Sequence, residues 1–349
     1  MLYIGIDCRF GGTFSGLGSY TRALVPNLLR RSDSIQYTLF VRSIEEAWIR
    51  ELPKSSTNYE LRTTDFPHYS LSEQVLFPLA LRRSGIDLFF SLHFNVPLAC
   101  PVPFVATIHD LILHRYPNEA PLWKQMAYRC VMRHTVTQAR ALIAVSRFVS
   151  LELGETYGED IARRTTIIPE GVEARFSRCP DRAQEDVLRK YNIRTPFFFY
   201  VGNAKEHKNV RMLIAAFKNL HSSEKTLVLV TSGPEADFLK PLEGIRRLSS
   251  VPEEDLPALY SAAEAFVTAS LYEGFCLPIA EALACGCPVI ALRTGAIPEV
   301  VGEGGVLVEA TAEALSWAMR SPPPPSCGGR WRRWETVAEE TAQQLLMVR

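Results

Sequence analysis

The stretch AFVTASLYEGFCLPIAEALACGCPVIA (residues 265–291) predicts one strand–helix–strand unit. Apolar runs at residues 265–268 and 288–291 are typical of buried strands, and residues 279–285 carry a helical pattern between them. Two parallel strands need a crossover connection of this kind. Because the same alternation runs through residues 197–308, this half of the chain is predicted to form a parallel sheet covered by helices.

Residues 1–170 show the same alternation, with Ser19 and Ser146 as predicted helix N-caps. Predicted strands lie at residues 2–7, 37–41, 87–92, 104–108 and 141–145. The expected fold class is α/β, with two Rossmann-like, doubly wound parallel sheets facing a central cleft that binds ligands at the carboxyl ends of the strands. The expected domains are residues 1–170, residues 171–320, and a proline-rich spacer with a terminal helix at residues 321–349 that is free to pack back on the first domain.

The composition is that of a globular protein, with 47% apolar residues and 38 basic residues balanced by 38 acidic ones. Neither half of the chain carries a marked basic excess, so no nucleic-acid partner is expected. The eight cysteines lack disulfide spacing and the first residues lack a secretory signal, so a cytoplasmic location is expected. Cys285 and Cys287 are interpreted as small buried residues and not zinc ligands. Residues 88–108 carry no formal charge but contain three prolines, so no transmembrane helix is predicted.

The pattern YEGFCLPIAEA (residues 272–282) carries the strongest indication of chemistry. Pro278 suits the first helical position, which puts Glu273 in the loop and Glu281 in the first helical turn. Carboxylates accept hydrogen bonds from paired sugar hydroxyls, and open backbone N–H groups at residues 274–277 would favour a phosphate. The alternative that either glutamate caps its own helix stays open.

Three further patterns follow predicted strands. In GNAKEHKN (residues 202–209), Lys208 stands just ahead of a helix and could hold a diphosphate, although a solvated loop, above all at Lys205, is the alternative. The turn SGLGS (residues 15–19) is glycine-rich but matches neither a complete Rossmann fingerprint nor a Walker loop. His109 ends a predicted buried strand and could contact a sugar hydroxyl; a structural role is the alternative, and His93 has the same placement.

Taken together and in this order, the patterns resemble retaining glycosyltransferases of family 4, which have the two-domain GT-B fold. The resemblance covers nearly the whole chain, and the Glu-x₇-Glu block formed by Glu273 and Glu281 is its most specific part. The matching segments are residues 15–22, 107–112, 144–146, 168–172 with Phe176, 200–203 with 207–209, and 273–290. The combination looks most like bacterial mannosyltransferases of polysaccharide assembly.

The resemblance implies a role for each matching residue. Glu281 would hold the nucleotide ribose, Glu273 the donor sugar, and Lys208 the diphosphate, while His109 would contact the transferred sugar and Gly16 would approach the diphosphate from the opposite domain. The catalytic set is then His109, Lys208 and Glu273. The donor-binding set is Gly16, Leu17, Gly18, Asn203, Lys205, Lys208, Glu273, Gly274, Phe275, Cys276, Leu277 and Glu281.

Some positions depart from the family pattern. Many members have arginine where Asn203 stands, so Lys205 could supply that cationic contact. Members often have glycine in place of Cys276 and asparagine in place of Glu170. The segment at residues 239–251 looks short, and the proline run after residue 321 is unusual for the family.

The expected reaction moves a hexose with retained anomeric configuration from a nucleoside-diphosphate sugar, best guessed as GDP-mannose, to a surface-glycan or lipid-linked acceptor. No Asp-x-Asp pattern occurs, so neither a metal nor another cofactor is expected. A nucleotide-sugar epimerase or hydrolase on the same scaffold and a non-catalytic binding subunit are the alternatives. Peripheral contact with the inner membrane face is compatible with a lipid-linked acceptor, but no clear basic amphipathic helix is recognisable.

Overall fold

The computed structural model describes residues 1–13, 15–31, 34–54, 56, 58–221, 224–231, 233, 236, 243–325 and 331–348. Parts of the two segments noted above, residues 239–242 and 326–329, therefore lie outside the described residues. The chain divides into two compact units. The first unit contains Met1–Gly171 and Arg332–Arg349, and the second contains Val172–Trp331.

The described residues of the first unit form a seven-stranded parallel sheet. Its strands are β1 (Leu2–Asp7), β2 (Ile35–Val41), β3 (Tyr59–Thr63), β4 (Leu88–Ser91), β5 (Phe104–Ile108), β6 (Ala141–Ala144) and β7 (Thr165–Ile167). Its helices are α1 (Gly16–Leu29), α2 (Leu71–Ser84), α3 (Ile112–Arg115), α4 (Leu122–Gln138), α5 (Arg147–Tyr157) and α6 (Glu159–Arg163). The spatial order is β3-β2-β1-β4-β5-β6-β7.

The second unit contains a six-stranded parallel sheet within the described part of the chain. Its strands are β8 (Phe197–Val201), β9 (Thr226–Val230), β10 (Ile245–Leu248), β11 (Ala265–Thr268), β12 (Val289–Leu292) and β13 (Gly305–Val308), in the order β10-β9-β8-β11-β12-β13. Its helices are α7 (Asp181–Tyr191), α8 (Val210–Lys218), α9 (Leu256–Ala262), α10 (Leu277–Ala284), α11 (Ile297–Val301) and α12 (Ala312–Arg320). The predicted α/β class with two Rossmann-like sheets is confirmed.

Each sheet has a point where the chain direction across it reverses. In the first unit β1 lies between β2 and β4, and in the second β8 lies between β9 and β11. In each unit the strands that follow the first one are therefore added on one side of it, and the later strands are added on its other side. Open α/β sheets bind ligands at the carboxyl ends of the strands at such a reversal, so each unit has one place where functional side chains are expected.

The sequence prediction missed three strands: β3 (YELRT), β7 (TTI) and β10 (IRRL). All three lie at an edge of their sheet and are only partly buried. Edge strands face water along one side and tolerate charged residues, so they lack the continuous apolar run by which the central strands were recognised. Six of the predicted strands, among them residues 2–7 and 265–268, match the observed boundaries.

Two predicted helix starts need correction. Helix α1 begins at Gly16 and not at Ser19, because the Ser15 side chain caps it by accepting a hydrogen bond from Gly18 N at 3.1 Å. Helix α10 begins at Leu277, which makes Pro278 its second residue and places Glu281 beyond the first turn. The predicted N-cap Ser146 of α5 is confirmed, since its side chain accepts from Val149 N at 3.1 Å.

The last helix, α13 (Trp334–Met347), packs against α1 in the first unit. Trp334 is buried and makes an edge-to-face contact with Tyr20 at 5.4 Å between ring centroids. A Cβ on Gly171 would lie 2.7 Å from Trp334 N, so the chain passes this helix too closely for any other residue. Within the described residues, no helix combines the length and the apolar character needed to cross a bilayer.

Candidate functional site

Lys208 and Glu273 meet at the chain reversal of the second unit. They lie in the loops that follow the neighbouring strands β8 and β11. Lys208 Nζ donates to Glu273 Oε1 at 2.6 Å, and the side chains are 20% and 10% exposed. A backbone hydrogen bond from Leu271 N to His207 O at 2.7 Å joins the same two loops. The structure thus brings together two of the three predicted catalytic residues.

A turn after β12 fixes the loop that carries Glu273. Ala296 N donates to Glu273 O at 3.0 Å, and Thr294 Oγ1 donates to Ser270 O at 2.7 Å. Gly295 lies between them with a φ of +56°, and a Cβ there would be 2.7 Å from Glu273 O. The glycine is therefore required both by its backbone conformation and by the close approach. Sequence analysis did not select this turn, although a glycine three residues after a buried strand is a recognisable cue.

Open backbone N–H groups lie between Glu273 and α10. Among the described residues, the N–H groups of residues 274–277 find no hydrogen-bond acceptor. Cys276 caps the helix in the left-handed conformation, with φ 72°. Unsatisfied N–H groups at the positive end of a helix favour an anion, and here the Lys208 ammonium reaches the same loop.

The Cys276 thiol plays no part as an anion. Burial raises its pKa well above the usual range, and the nearby Glu273 carboxylate adds to this effect. The thiol therefore stays protonated at neutral pH and does not supply a thiolate nucleophile. The predicted buried character of Cys285 and Cys287 is confirmed, because both are nearly inaccessible to solvent.

Glu281 has a different environment from Glu273. Tyr260 Oη, from α9, donates to Glu281 Oε2 at 3.0 Å. Burial raises the pKa of Glu281 to about 8; the Tyr260 hydrogen bond and Arg175 lower it, while Glu173 and Glu253 raise it further. In the absence of a ligand this carboxyl is therefore mostly protonated at pH 7. Tyr260 escaped the sequence analysis because nothing in the local pattern of α9 distinguishes it from a core residue.

Arg175 forms a bridge near Glu281. Its Nη2 donates to Glu173 Oε1 at 2.5 Å and to Glu253 Oε2 at 2.6 Å. These three side chains are each more than one-third exposed. The bridge therefore surrounds Glu281 with two further carboxylates and one cation that already has partners.

Asn203 and Lys205 lie on the exposed side of the loop after β8. Tyr200 Oη donates to Asn203 O at 2.7 Å, and Lys205 N donates to Asn203 Oδ1 at 3.3 Å. These bonds define the loop backbone and leave both side chains at the surface. In this loop the Lys208 side chain pairs with Glu273.

Gly16, Leu17 and Gly18 lie in the first turn of α1 and not in the loop before it. A Cβ on Gly18 would lie 2.0 Å from Thr13 O, so this glycine is required by internal packing. A Cβ on Gly16 would meet nothing within 4 Å. Gly16 thus leaves exposed backbone at a helix N-terminus, and nothing inside the described fold requires a glycine there.

His109 is held by oxygen atoms at both ring nitrogens. Nε2 lies 2.9 Å from Leu92 O, and Nδ1 lies 3.2 Å from Glu170 Oε1. Tyr20 packs edge-on against the ring at 4.6 Å. Because a carbonyl oxygen only accepts, Nε2 carries a proton. Glu170, which the sequence presented only as a departure from the family pattern, is a direct partner of His109.

His93 belongs to a buried polar and aromatic cluster after β1 and β4. Its ring is 5.4 Å from the Phe10 ring, and burial lowers the pKa of His93 well below the usual value, with His109 adding to the effect. Beneath this cluster lies Arg9, which is completely buried. Its Nη2 donates to Asp7 Oδ2 and to Glu73 Oε1, both at 2.7 Å. The sequence analysis missed Arg9 because a basic residue after a strand suggests a surface position.

Two family models match the chain. The model described as Glycosyltransferase Family 4 matches residues 14–176, and the one described as Glycosyl transferases group 1 matches residues 195–321. The first match covers most of the first unit and extends five residues into the second, and the other match lies within the second unit.

Curated relatives carry related names. O-antigen chain mannosyltransferase B of Escherichia coli is 33% identical over 217 residues, covering 59% of this chain and 57% of the relative. D-inositol 3-phosphate glycosyltransferase of Corynebacterium efficiens is 29% identical over 238 residues, covering 62% and 56%. MMP alpha-(1->4)-mannosyltransferase of Mycolicibacterium hassiacum is 28% identical, covering 58% and 51%. The chain thus spans little more than half the length of these relatives.

Solved structures with the same fold cover the whole chain at low sequence identity. Sucrose-phosphate synthase from Thermosynechococcus elongatus has a TM-score of 0.78 at 20% identity, covering 100% of this chain and 99% of that one. HepE of Anabaena in complex with UDP-glucose has a TM-score of 0.71 at 17% identity, covering 99% and 100%. WaaG, a glycosyltransferase involved in lipopolysaccharide biosynthesis, has a TM-score of 0.68 at 16% identity, covering 98% and 95%. The chain thus carries the domains of the family 4 and group 1 glycosyltransferase models, one after the other, and its two Rossmann-like sheets form the GT-B fold.

Proposed function

We propose that the protein is a glycosyltransferase that binds a nucleoside-diphosphate sugar at the chain reversal of its second unit. The observation that carries this proposal is the Lys208–Glu273 pair, 2.6 Å apart, beside the open N–H groups of residues 274–277. A cation and a helix N-terminus suit a diphosphate, and a carboxylate suits sugar hydroxyls. These complementary groups occur within one loop cluster.

The ion pair keeps the two groups neutralised until the donor arrives. An incoming diphosphate competes with Glu273 for the Lys208 ammonium, because phosphate oxygens form strong charge-assisted hydrogen bonds. Glu273 is then free to accept hydrogen bonds from hydroxyls of the sugar. Since both side chains are mostly buried, these contacts form away from bulk water, where they are stronger.

Glu281 is assigned to the nucleotide ribose. An ionised carboxylate accepts from two neighbouring hydroxyls, and Tyr260 already orients it with a 3.0 Å hydrogen bond. Because its pKa without ligand is about 8, donor binding must favour the ionised form and so lower that pKa. The affinity for donor is therefore expected to depend on pH in the neutral range.

In the proposed reaction, the bond between the sugar C1 and the leaving phosphate oxygen breaks while C1 bonds to an acceptor hydroxyl oxygen on the same face. The acceptor proton passes to the leaving β-phosphate. Lys208 and the N–H groups of residues 274–277 stabilise the charge that grows on that phosphate. His109 is assigned to the transferred sugar, to which Nε2 would donate in place of Leu92 O. The described residues contain no group of three or more His, Cys, Asp or Glu side chains placed to hold a metal ion.

The proposed donor sugar is mannose, carried by GDP, and the proposed acceptor is a surface glycan or a lipid-linked saccharide. The support is that two of the curated relatives are named mannosyltransferases, one of them for the O-antigen chain. A structural neighbour at 17% identity is described with UDP-glucose. Guanine and uracil donors must therefore be compared directly.

The test is a donor panel. Thermal shift with GDP-mannose, UDP-glucose, ADP-glucose and dTDP-glucose ranks the donors, since a ligand at a hundred times its dissociation constant stabilises the folded state by about 2.7 kcal/mol. Labelled donor is then incubated with and without a lipid-linked saccharide. A glycosylated acceptor supports the proposal. Free sugar or an epimer, formed regardless of acceptor, would instead favour the hydrolase or epimerase alternative.

A further inference from the structure

Helix α2 exposes large apolar side chains on the face opposite its buried one. Glu73, Phe77 and Leu81 are buried against the first unit. The outward apolar residues, which are 44 to 87% exposed, are Leu71, Val75, Leu76 and Leu79. A solvated helix face normally carries polar residues, so this face is unusual for a surface in contact only with water.

Helix α4 repeats the arrangement. Leu122, Trp123 and Met126 are 66 to 76% exposed, while Tyr128 and Met132 of the same helix are buried. Trp123 is a large amphipathic side chain of the type that is enriched at membrane–water interfaces. Single exposed apolar residues need no explanation, but a contiguous group of this size does.

Helices α2 and α4 cover one face of the first unit's sheet. The β3-to-β4 and β5-to-β6 connections cross the sheet in the same direction, so right-handed crossovers put α2 and α4 on the same face. The segment between β4 and β5 joins them, because Leu98 N donates to Gln74 Oε1 at 2.9 Å and Phe94 packs against Tyr128 at 4.9 Å. We call this surface the α2–α4 patch. It consists of Tyr69, Leu71, Val75, Leu76, Leu79, Leu98, Leu122, Trp123 and Met126.

Positive charge borders the patch on both helices. The exposed cations on α2 and α4 are Arg82, Arg83, Lys124, Arg129 and Arg133. The one acidic residue in the sequences of these helices, Glu73, is buried and paired with Arg9. In each helix the apolar residues come first and most of the cations follow, so one end of this surface is apolar and the other basic. The chain as a whole has no net charge, which makes this local excess distinctive.

We propose that the α2–α4 patch docks the first unit on the surface of an anionic lipid bilayer. Apolar side chains of this size insert at the boundary between headgroups and acyl chains, and the cations meet the anionic headgroups. A symmetric second copy fits less well, because it would place the cations of one copy against either the same cations or the apolar end of the other. The helices begin at the carboxyl edge of the sheet, where His93 and His109 also lie, so docking would bring that edge toward the membrane.

The sequence alone did not predict this surface. The exposed stripe of α2 is interleaved with the buried one, and the cations follow the apolar residues along the helix instead of lining the opposite side. Read as single patterns, neither helix is a basic amphipathic helix. The surface emerges only when the burial of each residue is known and the two helices are placed together.

The apolar part is tested by vesicle co-sedimentation of the full chain, without donor or acceptor. We expect binding to vesicles with 30% phosphatidylglycerol and little binding to pure phosphatidylcholine. L122S/W123S/M126S should weaken the binding at least about tenfold. The matched control is W317S on α12, where Trp317 is 70% exposed in the second unit, and it should bind like the parent chain.

The charged part is tested with R129Q/R133Q, which should weaken binding to anionic vesicles and reduce its salt dependence. The control is R182Q/R189Q on α7, whose arginines are equally exposed and distant in sequence. Circular dichroism verifies that each variant folds. The proposal is overturned if the parent chain does not bind vesicles or if the L122S/W123S/M126S variant binds them equally well. It is also overturned if light scattering shows that the parent chain is a dimer and this variant a monomer. Because no donor or transfer is measured, the result does not depend on the proposed function.

Discussion

Both units place charged side chains at the reversal of their sheet, but they use them differently. In the first unit Arg9 is completely buried and its Nη2 contacts both Asp7 and Glu73, so these charges are paired with one another inside the fold. In the second unit the Lys208–Glu273 pair remains partly accessible and lies beside N–H groups without acceptors. The same topological position thus holds a buried ion network in one unit and, in the other, an accessible ion pair that we propose as the donor site.

The largest expected effect is on stability in the first unit. Arg9→Met leaves Asp7 and Glu73 buried without their cation, so the free energy of unfolding should fall by about 3–5 kcal/mol. Denaturant titration measures this. The matched control is Arg163→Met, which breaks an exposed pair with Glu159 and should cost less than about 1 kcal/mol. Equal costs would show that the Arg9 network is not structural.

Next in size is the effect of Lys208→Ala on turnover. Loss of the cation that stabilises the leaving diphosphate should lower kcat by about 10²-fold or more. Lys218→Ala, at the exposed end of α8, is the control and should turn over like the parent protein. Unchanged turnover of Lys208→Ala would refute the proposed role. If Lys208→Ala lowered the free energy of unfolding as much as Arg9→Met, the charged side chains of the two units would not differ in their role.

A smaller effect is expected from Glu170, which we interpret as a positioning residue for His109. Glu170→Gln removes a charged partner of Nδ1, a contact of about 1.5 kcal/mol, so kcat should fall roughly tenfold. The pH profile of kcat should also shift, which loss of packing alone would not produce. Glu170→Asp should recover part of the activity, and Glu155→Gln, on the exposed side of α5, should be neutral. An unchanged pH profile for Glu170→Gln would exclude this coupling.

The smallest expected effect concerns Glu281. Its pKa without ligand is about 8 and donor is proposed to bind the ionised form, so donor affinity should rise about fivefold from pH 7 to pH 8 and level off above pH 9. Isothermal titration with the intact chain measures this. Glu281→Gln should bind more weakly and lose the pH dependence. A pH-independent affinity of the parent protein would contradict the assignment.

The same raised pKa has a consequence for folding. Because the carboxyl of Glu281 holds its proton more tightly when folded than when unfolded, its contribution to stability falls as the pH rises from about 4.5 toward 8. Glu281→Gln removes this dependence. The mutant should therefore gain stability relative to the parent protein at alkaline pH, in contrast to the loss expected for Arg9→Met.

The sequence predicted the fold well where burial is continuous and poorly where it is one-sided. Strands such as β5 and β8 carry no charged residue, consist mainly of apolar ones and were recognised at their observed boundaries. The partly charged edge strands β3 and β10 were not recognised, because hydrophobic periodicity reflects burial against a core and edge strands are only partly buried. The start of α1 was displaced because the cap hydroxyl of Ser15, and not helix propensity, decides where this helix begins.

By itself the sequence determined the alternation of strands and helices, and with it the loops in which Lys208, Glu273 and His109 reside, since local patterns fix local structure. Only the tertiary structure decided which distant residues meet. Lys208 reaches Glu273 across 65 positions and His109 reaches Glu170 across 61. The same is true of the outward faces of α2 and α4, because exposure depends on what the rest of the chain covers, and no stretch of sequence contains that information alone.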